Sequence, residues 1–113
     1  MSQDDRIPIA VWIDAHLRKW QADGRCCYIL NKGAYASGTI LLKINLLGPG
    51  CLLLQQQRNL DGDLGWMKLL KGGIRPETEA DDYICRAIDR DPDLWVIEIE
   101  DREGLNPFEG KIF

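Results

Sequence analysis

Residues 39–58 read TILLKINLLGPGCLLLQQQR, and this stretch decides the class of fold. Ile40, Leu42, Ile44 and Leu46 fall on alternate positions, with Leu41 and Lys43 between them. An apolar period of two marks a strand whose two faces see different surroundings. Gly48-Pro49-Gly50 supplies a turn, and a second apolar run returns from Cys51 to Arg58. Two such runs about a glycine–proline turn predict a hairpin.

Toward the N-terminus, Arg25 to Asn31 is rich in strand formers, and Lys32 to Gly38 carries two glycines and reads as a loop. Before it, Ile9, Trp12, Ile13, His16, Leu17 and Trp20 recur at three- and four-residue steps. That spacing predicts a helix over residues 8–22 with one apolar face, opened by Pro8 and stopped by Gly24. Toward the C-terminus, Asn59 to Gly65 is turn-rich, and Gly65 to Leu70 reads as a fourth strand containing Trp66. Lys71 to Arg75 breaks the pattern, and Pro76 and Thr78 announce a second helix. Thr78 is the expected cap, with Asp81 three residues on. Ala80, Tyr83, Ile84, Ala87 and Ile88 form the face it would bury, and Asp91-Pro92 ends it. The last strand is Asp93 to Glu100, with Trp95, Ile97 and Ile99 on one face and Leu94, Val96, Glu98 and Glu100 on the other. One face turns acidic, so this strand is expected to start buried and emerge toward solvent.

The order αββββαβ places the chain in the α+β class. The expectation is two helices and a mainly antiparallel sheet of about five strands, mixed if the last strand, reached through a helix, pairs in parallel. One domain is expected over 1–113, with 1–7 and 105–113 as loose ends and Phe108 and Phe113 as anchors within the tail.

The 113 residues carry a net charge of −4. An acidic chain with scattered Lys and Arg argues against nucleic acid as a partner, since phosphate backbones are bound through basic patches. No apolar run approaches the ~20 residues of a membrane span, and Met1 to Asp5 is polar and acidic, so a cytoplasmic location is expected. Cys26, Cys27, Cys51 and Cys85 include no C-x-x-C pair, and His16 is the single histidine. The cysteines therefore read as reduced, small apolar residues.

Three segments together carry a resemblance. Trp12-Ile13-x-Ala15-x-Leu17-Arg18-Lys19 looks like a helical opening. Lys32-Gly33, then Ser37-Gly38 leading into Ile40-Leu41-Leu42-Lys43-Ile44-Asn45, looks like a central loop and strand. Asp91-Pro92-Asp93-Leu94-Trp95-Val96-Ile97-Glu98-Ile99-Glu100-Asp101 looks like a closing signature. Over Arg6 to Gly104 the chain resembles the alphaproteobacterial family called domain of unknown function 1491. That family usually carries a basic and an acidic residue about the Gly33 loop, where Asn31 and Ala34 stand here. The resemblance implies a bacterial cytoplasmic protein of this size and brings no activity with it.

The acidic end is the sharpest chemical feature. Glu98 and Glu100 project from one face of a strand, and Asp91, Asp93, Asp101 and Glu103 are near in sequence. Clustered carboxylates suit hard divalent cations. Asp93, Glu98 and Glu100 are therefore the candidate metal ligands, for Mg²⁺ or Mn²⁺, in a hydrolase or nuclease-like enzyme with Arg18 or Lys19 as a basic helper. The lysine such nucleases carry two residues after the Glu is replaced by Glu100. The competing reading is a solvated strand end whose charge blocks edge-to-edge pairing. His16 reads as a boundary histidine with one hydrogen bond. No phosphate-binding glycine loop is present, and no cofactor is called for. Trp12, Trp20, Trp66 and Trp95 read as core, unless Trp20 or Trp66 is exposed as an interface anchor. The leading expectation is a small accessory or protein-interaction module, binding a protein partner or itself. The metal-dependent enzyme stands as the alternative, and whether the chain is an enzyme is left open.

Overall fold

The computed structural model describes residues 7–113. The hairpin of residues 39–58 is present as β2 (Ile40–Asn45) and β3 (Cys51–Arg58), antiparallel, with Asn45 opposite Cys51. It sits inside a six-stranded sheet completed by β1 (Cys27–Asn31), β4 (Leu64–Lys68), β5 (Trp95–Glu100) and β6 (Lys111–Ile112). The spatial order is β1-β5-β2-β3-β4-β6. β5 runs parallel to β2 and antiparallel to β1, so the sheet is mixed. The helices are α1 (Ile9–Ala22) and α2 (Glu77–Arg90).

Side-chain alternation sorts the core into two layers. Ile40, Leu42 and Ile44 of β2 and Ile97 and Ile99 of β5 pack with Trp12, Ile13, Leu17 and Trp20 of α1. Leu41, Leu53 and Val96 pack with Ile84 of α2 and with Tyr83, Ala87 and Ile88 beside it. The two helices thus cover opposite faces of the sheet.

Four expectations need correction. The segment 105–113 is not loose: β6 pairs in parallel with β4, and Phe108 is 5% exposed. Phe108 stacks on Trp12 and Trp66 at ring-centroid distances of 5.3 and 5.6 Å. Residues 1–6 lie outside the described residues, but Ile7 packs against the core. The α2 helix starts with Pro76 as its cap residue, and no side chain bonds to its free N–H groups. Thr78 already lies within the helix, so it does not cap. Finally, β5 does not emerge to solvent: it lies between β1 and β2, and its acidic residues are interior to the sheet.

Candidate functional site

The register of β2 against β5 sets the electrostatics of the α2 face. Lys43 stands opposite Glu98, and Asn45 opposite Glu100. Lys43 is 2% exposed, and its Nζ donates to Glu77 Oε2 and Asp81 Oδ1, both at 2.7 Å. Glu98 Oε1 lies 3.3 Å from the same nitrogen, and Asn45 Nδ2 donates weakly to Glu98 Oε2 at 3.4 Å. Glu77 and Asp81 are one helical turn apart, so both reach down from one face of α2. One ammonium therefore ties the first turns of α2 to β2 and β5. Burial alone would push the Lys43 ammonium down, but hydrogen bonds to Asp81 and Glu77 and the charge of Glu98 outweigh it and leave it raised.

This placement decides the fate of the expected metal ligands. Glu98 and Glu100 do share a face, about 7 Å apart along the strand. Asp93 sits in the turn before β5, five residues ahead of Glu98 and outside the strand that carries Glu98 and Glu100. Its backbone carbonyl accepts the N–H of Ala34 at 3.1 Å, and its backbone N–H bonds to Asp91 Oδ1. Arg18 is on α1, across the sheet, exposed and paired with Asp14 at 2.7 Å. The structure thus does not bring Asp93, Glu98, Glu100 and Arg18 together, and the cation beside Glu98 is a lysine. Among the described residues, no group of three His, Cys, Asp or Glu is placed to hold a metal ion.

The other singled-out side chains have partners or burial within the fold. His16 Nδ1 meets the Trp12 carbonyl at 2.8 Å, and its Nε2 lies 3.5 Å from Glu109. Trp20 and Trp66 are both buried, each with its indole N–H on a backbone carbonyl. Neither is the exposed anchor considered from the sequence. Cys51 is buried, which pushes its thiol up. No helix is long and apolar enough to cross a membrane among the described residues.

A run of three consecutive exposed apolar residues lies on β1, at the end of the sheet. Tyr28, Ile29 and Leu30 are 46%, 52% and 44% exposed in succession. The Glu100 N–H bonds to the Cys26 carbonyl, and Tyr28 stands opposite Glu98. By the alternation of an antiparallel ladder, the N–H and C=O of Cys27 and Ile29 then point away from β5, along an open edge. The register shifts between Ile29 and Asn31, a bulge that leaves Leu30 unpaired with β5. Tyr28 has its hydroxyl pushed up by the charge of Glu100, with Cys26 adding to the effect. The sequence pointed to β1 as a strand. Its edge position follows from β5 docking beside it, which nothing local in residues 25–31 could signal.

Comparison with known proteins gives the following. The profile of the family described as "Protein of unknown function (DUF1491)" matches residues 7–109. The fold is similar to the crystal structure of a DUF1491 family protein from Caulobacter crescentus CB15, with TM-score 0.83 and 28% identity over 95% of this chain and 99% of that one. An NMR structure of a DUF1491 family protein from the same organism gives 0.76 and 28% identity over 95% and 96%. The solution structure of protein Atu0922 from A. tumefaciens, at 22% identity over 84% and 86%, shares the fold with TM-score 0.68. No curated protein matches the chain.

Proposed function

The chain belongs to the DUF1491 family, and on that premise we propose that it is a small protein-interaction module that works by strand addition at the outer edge of β1. The observation that carries this reading is the run Tyr28-Ile29-Leu30, apolar and half exposed on a strand whose outer backbone groups are unpaired among the described residues. Open edges are templates for a further strand, and proteins usually blunt them with charge or proline. Here the edge carries neither between Cys26 and Asn31.

The first occupant to test is a second copy. A two-fold axis at Ile29 would place Tyr28 opposite Leu30 of the other copy, an aromatic–aliphatic pair that contributes about 0.2–1 kcal/mol. The bulge at Leu30 keeps the ladder short, so the association is weak and concentration-dependent.

The experiment is light scattering over a wide concentration range on the wild type, Ile29→Pro and Ile29→Lys. Proline removes only the outward N–H, a change that edge strands tolerate, and circular dichroism checks that each variant folds. A wild-type dimer that both substitutions dissociate supports the reading. A wild type that is monomeric throughout, and whose Ile29 amide exchange is unchanged by a peptide copying residues 25–32, overturns it.

A further inference from the structure

Gln56 lies on β3 opposite Trp66 and is 6% exposed. It alternates with Leu52 and Leu54, which pack in the α1 layer. Its Nε2 is buried and has no hydrogen-bond partner. An unpaired buried donor carries a desolvation penalty that a methionine of similar length would not. Gln56 lines a cleft of about 300 Å³ on the α1 side of the sheet. Ser37 and Thr39 face it from the loop before β2, Arg58 bounds it at the end of β3, and Ile7 and Leu64 give it an apolar wall. Among the described residues, no Asp or Glu lines it.

The loop that carries Ser37 and Thr39 is held rigid. The carbonyls of Tyr35 and Ala36 accept the first N–H groups of α1, from Ala10 and Ile9, and the Thr39 carbonyl accepts the N–H of Trp95. The Trp95 indole N–H donates to the Ala34 carbonyl at 2.7 Å. Arg58 is held as well, with Nη1 donating to the Gly62 carbonyl at 2.9 Å.

We propose that this cleft binds the oxyanion of a small molecule, a carboxylate or a phosphate, with the Gln56 amide as its buried donor and the hydroxyls of Ser37 and Thr39 as its side donors. The site lies apart from the β1 edge and does not rest on the interaction reading. An amide and two hydroxyls favour an acceptor-rich ligand, and the apolar wall leaves room for a short aliphatic part.

The test is an NMR titration of the ¹⁵N-labelled protein, in buffer free of both anions, with inorganic phosphate and with butyrate. The Gln56 side-chain amide and the backbone amides of residues 37–39 are followed in the wild type and Gln56→Met. A saturable shift with butyrate alone assigns a carboxylate ligand, and one with phosphate alone assigns a phosphate. In either case Gln56→Met weakens binding by roughly tenfold or more, read at residues 37–39, as loss of a hydrogen bond to a charged group would. Without ligand, Gln56→Met melts above the wild type. No shift with either anion overturns the proposal, as does a shift undiminished in Gln56→Met. A Gln56→Met that melts below the wild type overturns it too, since a trapped water would then be satisfying the amide.

Discussion

Lys43→Met isolates the ion cluster between α2 and the sheet. Methionine keeps most of the length and the apolar stem of lysine, so packing against the strands is largely preserved. The charge is lost, and three carboxylates lose their shared partner. Removing one member of a buried ion pair costs about 3–5 kcal/mol when its partner stays buried. Here the Glu77 and Asp81 side chains are about half exposed and turn to water, whereas the Glu98 side chain, 13% exposed, cannot. The expected loss therefore falls below that range, at about 2 kcal/mol once solvent screening is counted. For a domain of this size that lowers the melting temperature by roughly 10 °C. Urea unfolding followed by tryptophan fluorescence measures it. Lys43→Met/Glu98→Met should regain a substantial part of the loss, because the stranded carboxylate is gone. The pH dependence has a definite sign. The folded-state pKa of Lys43 is raised, so its contribution is complete below the ordinary lysine value of about 10.4 and declines as pH climbs above it. The wild type should therefore lose more stability than Lys43→Met in that alkaline window. A Lys43→Met loss within about 0.5 kcal/mol of zero, or a double variant no better than the single, would refute the account.

Two further perturbations test the packing. Phe108→Ala empties the space between Trp12 and Trp66 and should cost about 3 kcal/mol or more; in hydrogen exchange the amide of Phe113, bonded to the Trp66 carbonyl, should lose protection with it. Gly33→Ala sets a methyl 2.2 Å from the Asp93 carbonyl oxygen and 2.6 Å from the Trp95 ring, contacts that backbone must move to relieve. A loss of at least ~1–3 kcal/mol is expected, and a variant as stable as the wild type would show that the loop before β2 yields easily.

The alternation in residues 39–46 carried the central strand and its faces correctly, because a period of two needs only local sequence. It also placed Lys43 on the face opposite Ile40, Leu42 and Ile44. What it could not show was that a parallel strand some fifty residues later would put Glu98 beside Lys43. The separation of Asp93 from Glu98 was within reach of strand geometry alone, since five extended residues place two ligands too far apart to share one ion. The core-facing parity of Gln56 was likewise legible from Leu52 and Leu54. The tail was not: Lys111-Ile112 is too short to show a period, and Phe108 is ordered by two indoles contributed from distant segments.

The position of β5 between β1 and β2 also orders events in time. During synthesis β2, β3 and β4 can zip together by neighbouring turns as soon as they emerge, whereas β1 has no ladder partner until a strand almost seventy residues downstream has been made. Closing that long loop makes docking of β5 a slow, non-local step. Until it occurs the nascent chain displays two open flanks, β2 and the apolar β1, and is most vulnerable to mispairing with its neighbours. After β5 docks, the outer flank of β1 is what remains open at that end among the described residues, so a chaperone or partner that seizes Tyr28 to Leu30 early need not release it when folding is done.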